Sequence, residues 1–226
     1  MVNIKLKDGS VIQTEEGLTV KEIAEKLSRN LAKMALGASV DGKIVGLTQK
    51  IESDCELTII TFADPEGKQL YWHTSSHIMA QAVKRLYPTA KLAIGPAIAN
   101  GFYYDFDFET PLTADDFAKI EKEMNKITAQ NFPIERFELP RAEALEFMKD
   151  EPYKKELIEN LPDDAVISFY KQGEFTDLCA GPHLMSTKGV GKAFKIMSLA
   201  GAYWRGDEHN KMLTRLYATA FGKKEE

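Results

Sequence analysis

A chain of 226 residues with 44% apolar and 28% charged content has the composition of an ordinary soluble globular protein with room for two domains. Its formal net charge of −5 disfavours indiscriminate binding to nucleic acid, though a local basic patch could still meet one phosphate backbone. No apolar run approaches the roughly 18 residues of a membrane span, MVNIKLKDGS lacks the apolar core of a signal peptide, and two cysteines, Cys55 and Cys179, argue for a reducing cytoplasm over a disulfide framework.

In chain order the first segment reads as strands VNIKL and SVIQT, a helix over VKEIAEKL, and strands MALGASV, KIVGL and ELTIITF. Asp8-Gly9 and Asp41-Gly42 are hairpin signals, because the tight turns that suit twisted strands need positive backbone angles. Thr19 with Glu22 three residues on forms a capping box at the helix start. This order is a small β-grasp pattern. The charged stretch from Ala63 to Gly67 contains Pro and Gly and marks the expected boundary between a first domain, 1–62, and a second, 63–224.

The second part alternates. A helix from about 72 to 87 ends at Pro88, which a helix interior cannot accommodate. Then follow a strand KLAIGPAI, a strand YYDFDFE, a helix from Thr113 to Asn131 with Asp116 completing its cap, a strand FPIERFEL, and helical pieces from Arg141 to Lys149 and over KKELIENL. A strand VISFYKQG, the loop CAGPH, and strands FKIMSLAGAYW and LTRLYATAF close the chain. The expected fold class is α+β, a β-grasp domain followed by a mixed α/β domain, with no internal repeat.

Two pairs of residues carry the chemistry. At about 100° per residue, His73 and His77 share a helix face with Ala80 and Lys84, away from the apolar stripe Met79, Val83 and Leu86, so neither histidine reads as core. In Cys179-Ala-Gly-Pro-His183, Gly181 and Pro182 forbid a regular helix and imply a tight turn that aims Cys179 and His183 at one point. The fourth histidine, His209, has no partner in reach and reads as a surface residue. Three histidines and a cysteine are an ordinary tetrahedral zinc set, yet four filled positions would leave none open for catalysis, and structural zinc usually draws on closely spaced cysteines. The same side chains can instead hold and activate a water directly. The plain alternative is that His73 satisfies a backbone group, His77 packs, and Cys179 is a small buried hydrophobe. Taken alone, Asp177 reads as a solvated loop aspartate that could otherwise orient a histidine or an ammonium group, and Lys154 as a solvated helix residue.

HTSSHIMAQAV, AIGPAIANGFYYDFD, DLCAGPH and GAYWRGDEHNKMLTRLYATAF together resemble the N-terminal part of bacterial threonyl-tRNA synthetases, and the resemblance runs through the whole chain. It implies that the first segment is a ubiquitin-like TGS domain. The rest would be an editing domain, related to that of alanyl-tRNA synthetases, which hydrolyses serine wrongly esterified to threonine tRNA. His73, His77, Cys179 and His183 match the family's editing signature, Lys154 and Asp177 its additional polar positions, and Tyr103 and Tyr104 lie where the family approaches the terminal adenosine. The resemblance implies membership of the site and not a job for each residue; the working assignment gives the serine ammonium or hydroxyl to Asp177 and Cys179, ligand placement to His77 and His183, and the water and departing ribose oxygen to His73 and Lys154.

The resemblance further implies no metal required for editing, although the alanyl relatives hold zinc with the same kind of signature. ATP and zinc are expected only in a class II catalytic domain, of which, like an anticodon-binding domain, the chain shows no sign before KKEE, so no threonine activation is expected. The implied partner is the acceptor end of threonine tRNA carrying a seryl ester, with no membrane, and a homodimer for the full-length enzyme. One missing methyl is worth only about 1–3 kcal/mol of discrimination, so a synthetic site for threonine also charges some serine and a second sieve is needed. Two other readings stand beside this one. A free-standing trans-editing hydrolase is disfavoured by the TGS-like segment, and a tRNA-binding module without turnover by the intact Cys/His pairs. Lys188, Lys192, Lys195, Arg205, Lys211 and Arg215 would meet tRNA phosphates or form a mixed-charge surface.

Overall fold

A computed structural model describes residues 1–222, so the expected domain end at 224 lies outside the described residues. The chain divides into two compact units, Met1–Tyr71 with Pro182–Met185, and Trp72–Gly181 with the residues from Ser186 onward.

The first unit contains β1 (Val2–Leu6), β2 (Val11–Thr14), β3 (Leu18–Thr19), α1 (Val20–Leu27), α2 (Arg29–Met34), β4 (Ala35–Val40), β5 (Lys43–Val45), β6 (Lys50–Ile51) and β7 (Cys55–Thr61). Its sheet has the order β2-β1-β7-β4-β5, parallel only between β1 and β7. Val20 and Ile23 of α1 join a buried core with Ile4, Ala38 and Leu57. This is the expected β-grasp. The capping box forms, Glu22 N–H donating to Thr19 Oγ1 at 3.2 Å and Thr19 N–H to Glu22 Oε2 at 2.7 Å. Both hairpins form, by different means. Asp41 and Gly42 take φ of 48° and 81°, whereas the first hairpin turns through three residues with positive φ only at Gly9. Met34, read as strand, ends helix α2, which Ser28 caps by accepting from Leu31 N–H at 3.3 Å.

Helix α3 runs from Pro65 to Leu86, seven residues earlier than the periodicity suggests, and Trp72 and everything after it on α3 belong to the second unit. The stretch read as a linker starts this helix. Pro65 is tolerated in a first turn, and Gly67 passes so close to the Thr61 carbonyl that a Cβ would lie 1.8 Å from its oxygen.

The second unit continues with β8 (Lys91–Leu92), β9 (Ala97–Ile98), β10 (Gly101–Asp107), α4 (Phe117–Gln130), β11 (Ile134–Glu138), α5 (Arg141–Phe147), α6 (Pro152–Glu159), β12 (Ser168–Gln172), β13 (Phe175–Leu178), β14 (Ala193–Tyr203) and β15 (Met212–Phe221). One antiparallel sheet has the order β14-β15-β10-β8, with β9 also on β10, and Trp72 fastens α3 to it by donating from Nε1 to the Ala220 carbonyl at 2.8 Å. The expected strand KLAIGPAI is interrupted between Leu92 and Ala97, where Gly95 and Pro96 fall. A second antiparallel sheet, β11-β12-β13, packs Phe169 against Ala144 and Met148 around α5 and Ile158 of α6. Strand β13 was not expected from sequence, because Gly173, at φ 60°, turns the chain back after β12 within what read as one strand and a loop.

Candidate active site

Helix α3 places His73 and His77 one turn apart, with rings in edge contact at 5.3 Å. The two then differ. His73 is half-buried and its Nε2 lies 3.4 Å from Cys179 Sγ. His77 is only 3% exposed, beside Phe175, with Nε2 3.5 Å from Asp177 Oδ2. The expectation that neither is a core residue therefore fails for His77. Burial pushes its imidazole down to about 3, against the pull of Asp177, so His77 is neutral in ordinary buffer. The facing carboxylate favours the tautomer with its proton on Nε2.

Asp177 is no solvated loop residue. Register with Tyr170 on the central strand puts it inside the second unit at 1% exposure. Tyr104 donates its hydroxyl to Oδ2 at 2.6 Å, and Lys154 Nζ stands 2.8 Å from Oδ1. Burial alone would raise this carboxyl, but the Lys154 ammonium, His77 and the hydrogen bonds from Lys154 and Tyr104 hold it below the usual carboxylate range. Since His77 is neutral, the charge that keeps Asp177 ionised is that of Lys154. Lys154 is likewise not a solvated helix residue: it is 3% exposed, with Nζ 5.5 Å from the centre of the Tyr104 ring. An isolated helix pattern cannot reveal this, because the compensating carboxylate comes from a strand elsewhere in the chain.

Cys179 follows β13 and is held locally by backbone bonds from its N–H to the Ser168 carbonyl at 3.0 Å and from Ser168 Oγ to its own carbonyl at 2.6 Å. Burial pushes its thiol up to about 12, the Gly181 N–H at 3.3 Å opposing only in part. The site therefore presents a protonated thiol, and Cys179 is not poised as a thiolate nucleophile. Alkylation by iodoacetamide at pH 7 is expected to be at least tenfold slower at Cys179 than at an exposed thiol, roughly in line with its lower thiolate fraction; peptide mass spectrometry against an added cysteine peptide reads this directly. Gly181 sits at φ 71°, where a Cβ would lie 1.9 Å from the Tyr170 hydroxyl oxygen, so the turn is open only to glycine.

One donor atom from each of His73, His77, Cys179 and His183 lies within 4.8 Å of the others, and His183 is buried. The sequence expectation that these four converge is met. As a zinc set the donor types fit, and ligands at about 2.0–2.3 Å from a tetrahedral ion stand about 3.3–3.8 Å apart, a spacing that His73 Nε2 and Cys179 Sγ meet at 3.4 Å. His77 Nε2 also faces Asp177.

Tyr103 and Tyr104 alternate across β10 and so face opposite sides of the sheet. Tyr104 is fully buried and acts on Asp177, while Tyr103 lies under the Arg215 guanidinium, 3.9 Å from the ring centre, and beside Tyr217. The six basic residues are largely balanced: Lys195, Arg205, Lys211 and Arg215 stand 3.9, 3.3, 2.8 and 2.8 Å from Glu121, Glu156, Asp107 and Asp105, and Lys188 and Lys192 are exposed. His209 is exposed as expected but does have a partner, Asp207 Oδ1, at 2.9 Å. Gly95 was missed by sequence reading; a Cβ there would lie 2.0 Å from the Tyr104 ring. Among the described residues, no helix is long and apolar enough to cross a membrane.

Residues 2–61 match the family of the TGS domain, and residues 167–217 match the threonyl and alanyl tRNA synthetase second additional domain. Along almost its whole length the chain is similar to the threonine-tRNA ligases of Acetivibrio thermocellus, 59% identical over 226 residues and covering 99% of this chain and 35% of that protein, and Clostridium tetani, 62% over 228 residues, covering 100% and 36%. The ligase of Caldanaerobacter subterraneus subsp. tengcongensis is 61% identical over 223 residues, covering 98% and 34%. The chain thus spans about a third of the length of the curated relatives it matches.

Proposed function

We propose, for a chain that carries a TGS domain and the second additional domain of threonyl and alanyl tRNA synthetases, that its work is editing: hydrolysis of the seryl ester on threonine tRNA to free serine and tRNA. The domains would be 1–62 and 63–224, and the parent protein a cytoplasmic, dimeric threonine-tRNA ligase that uses ATP and zinc in parts beyond this chain. The observation that carries the reading is Cys179 Sγ against His73 Nε2 at 3.4 Å, beside the buried Lys154–Asp177 ion pair at 2.8 Å.

Such a centre suits direct attack by water. The thiol is not ionised, so a thioester intermediate is not the favoured route. In the proposed step, water adds to the ester carbonyl while an imidazole takes its proton, charge develops on the carbonyl oxygen, and the carbon–oxygen bond to ribose breaks as that oxygen is protonated. His73 is the candidate to handle the water, and the Lys154 ammonium to stabilise the developing negative charge or protonate the leaving ribose oxygen. Asp177, with both oxygens engaged by Lys154, Tyr104 and His77, is better suited to hold those groups than to read the serine ammonium, a role that passes to Cys179, His183 and backbone of the 179–183 turn. Tyr103 remains a candidate for contact with the terminal adenosine, whereas Tyr104 would act through Asp177.

The test is deacylation of seryl and threonyl esters of threonine tRNA, with a Cys179→Ala, His183→Ala control. Serine should be released at least tenfold faster than threonine, the control should be inactive, and chelator should leave the rate unchanged. Loss of both esters at equal rates would remove the editing reading, and loss of activity together with one equivalent of zinc would remove the metal-free one.

A further inference from the structure

The YWRGD turn, Tyr203 to Asp207, lies outside the site described above, yet it grips the helix that carries Lys154. We propose that Trp204 and Arg205 are positioning residues for Lys154, acting through Glu156; this rests on the editing reading.

Helix α6 has eight residues, too few to be stable unless its surroundings hold it. Tyr153, Glu156 and Leu157, at i, i+3 and i+4, form one face, and Lys154 and Ile158 project from another. The first face meets the turn. Trp204 donates from Nε1 to Glu156 Oε2 at 2.9 Å, Arg205 Nε stands 3.3 Å from Glu156 Oε1, and the Tyr153 and Trp204 rings meet edge-on at 5.0 Å. Leu157 packs with Trp204, Ala93 and Leu213, and the Tyr153 hydroxyl donates to Asp107 Oδ2 at 2.7 Å.

The turn itself is built to point this way. Arg205 takes φ 57°, a left-handed conformation that is strained for a non-glycine residue and persists only where its surroundings over-determine it. Here Trp204 N–H donates to the Lys211 carbonyl at 3.0 Å, and the Trp204 carbonyl accepts from Asn210 Nδ2 at 3.0 Å. A local strain is thus maintained, and the side chains of Arg205 itself and of Trp204 before it both close on a single carboxylate. Lys154 Nζ sits 2.8 Å from Asp177 at the end of a flexible side chain, so its reach depends on where α6 is held.

Trp204→Phe keeps a ring against Tyr153 and removes only the N–H donor. It should lower kcat for the seryl ester by about tenfold with KM unchanged, since small misplacements of a positioned group act on the chemical step. In a Lys154→Met background, followed by single turnover, the same substitution should cost nothing further, because its effect passes through Lys154. Acetylation of Lys154, read by peptide mass spectrometry against exposed Lys149, should rise at least fivefold in Glu156→Ala and return close to the unsubstituted level in Glu156→Gln, whose amide oxygen still accepts from the indole. Equal losses of kcat in both backgrounds, or Lys154 acetylation unchanged in Glu156→Ala, would overturn the proposal. If the unsubstituted protein does not cleave the seryl ester, the editing reading falls, and the acetylation measurement still decides whether the turn holds Lys154.

Discussion

Lys154→Met should abolish seryl-ester hydrolysis, by about a hundredfold or more, and should also destabilise the fold. The two effects have different origins. Lys154 and Asp177 are 3% and 1% exposed, and removing one partner of a buried ion pair leaves the other charged in a poorly solvating interior, at a cost of about 3–5 kcal/mol. In a protein of this size each kcal/mol lowers the thermal midpoint by about 2–4 °C. Pairing Lys154→Met with Asp177→Asn removes the orphaned charge, so most of the lost stability should return, while activity should not, because the cation itself is missing. Calorimetry beside single-turnover deacylation separates these quantities. A stable double variant that still cleaves seryl-tRNA at the original rate would show that the ammonium has no part in the chemistry.

Gly95→Ala should also be strongly damaging, although Gly95 carries no functional group. A methyl there would lie 2.0 Å from Tyr104 Cδ2, and Tyr104 is fully buried, stacked on Phe106 at 4.8 Å and tied by its hydroxyl to Asp177. The ring cannot swing into solvent, so either it or the backbone around Gly95 must shift. Overpacking of this kind costs about 1–3 kcal/mol. The shift also acts on the site, because the Tyr104 hydroxyl is one of the groups that hold Asp177, and Gly95 is bonded through its carbonyl to Ser76 Oγ at 2.8 Å on the histidine helix. Activity per folded molecule should fall by about tenfold or more, as for other small displacements of reacting groups. Tyr104→Leu in the same background should recover part of the stability by vacating the space, without recovering activity. An unchanged midpoint and rate in Gly95→Ala would mean that the close approach is readily relaxed.

Much of the fold can be read locally. The Thr19–Glu22 cap and the two Asp-Gly turns depend on bonds between residues a few positions apart, and the structure contains them; the β-grasp was legible from the order of its elements, although its parallel pair joins β1 to β7 from far along the chain. The convergence of His73, His77, Cys179 and His183 was also legible, from a helical spacing and from a turn that Gly181 and Pro182 impose. Helix α2 and strand β13 were not, since a six-residue helix and a four-residue strand are too short for periodicity to declare them.

The electrostatic character of the site lay beyond the sequence altogether. Lys154 and Asp177 each carry the ordinary signature of a solvated surface residue, and Tyr104 that of a strand aromatic. What makes them a buried, mutually dependent set is that Tyr104 and Asp177 meet across 73 residues of chain and Lys154 enters from a third element. Residue types and spacings by themselves determined which groups are available and where the chain turns. Only the tertiary structure decided which of them lose water, and therefore that Asp177 stays charged beside Lys154 while His77 and Cys179 stay neutral, because desolvation is a property of the packed interior and of no segment within it.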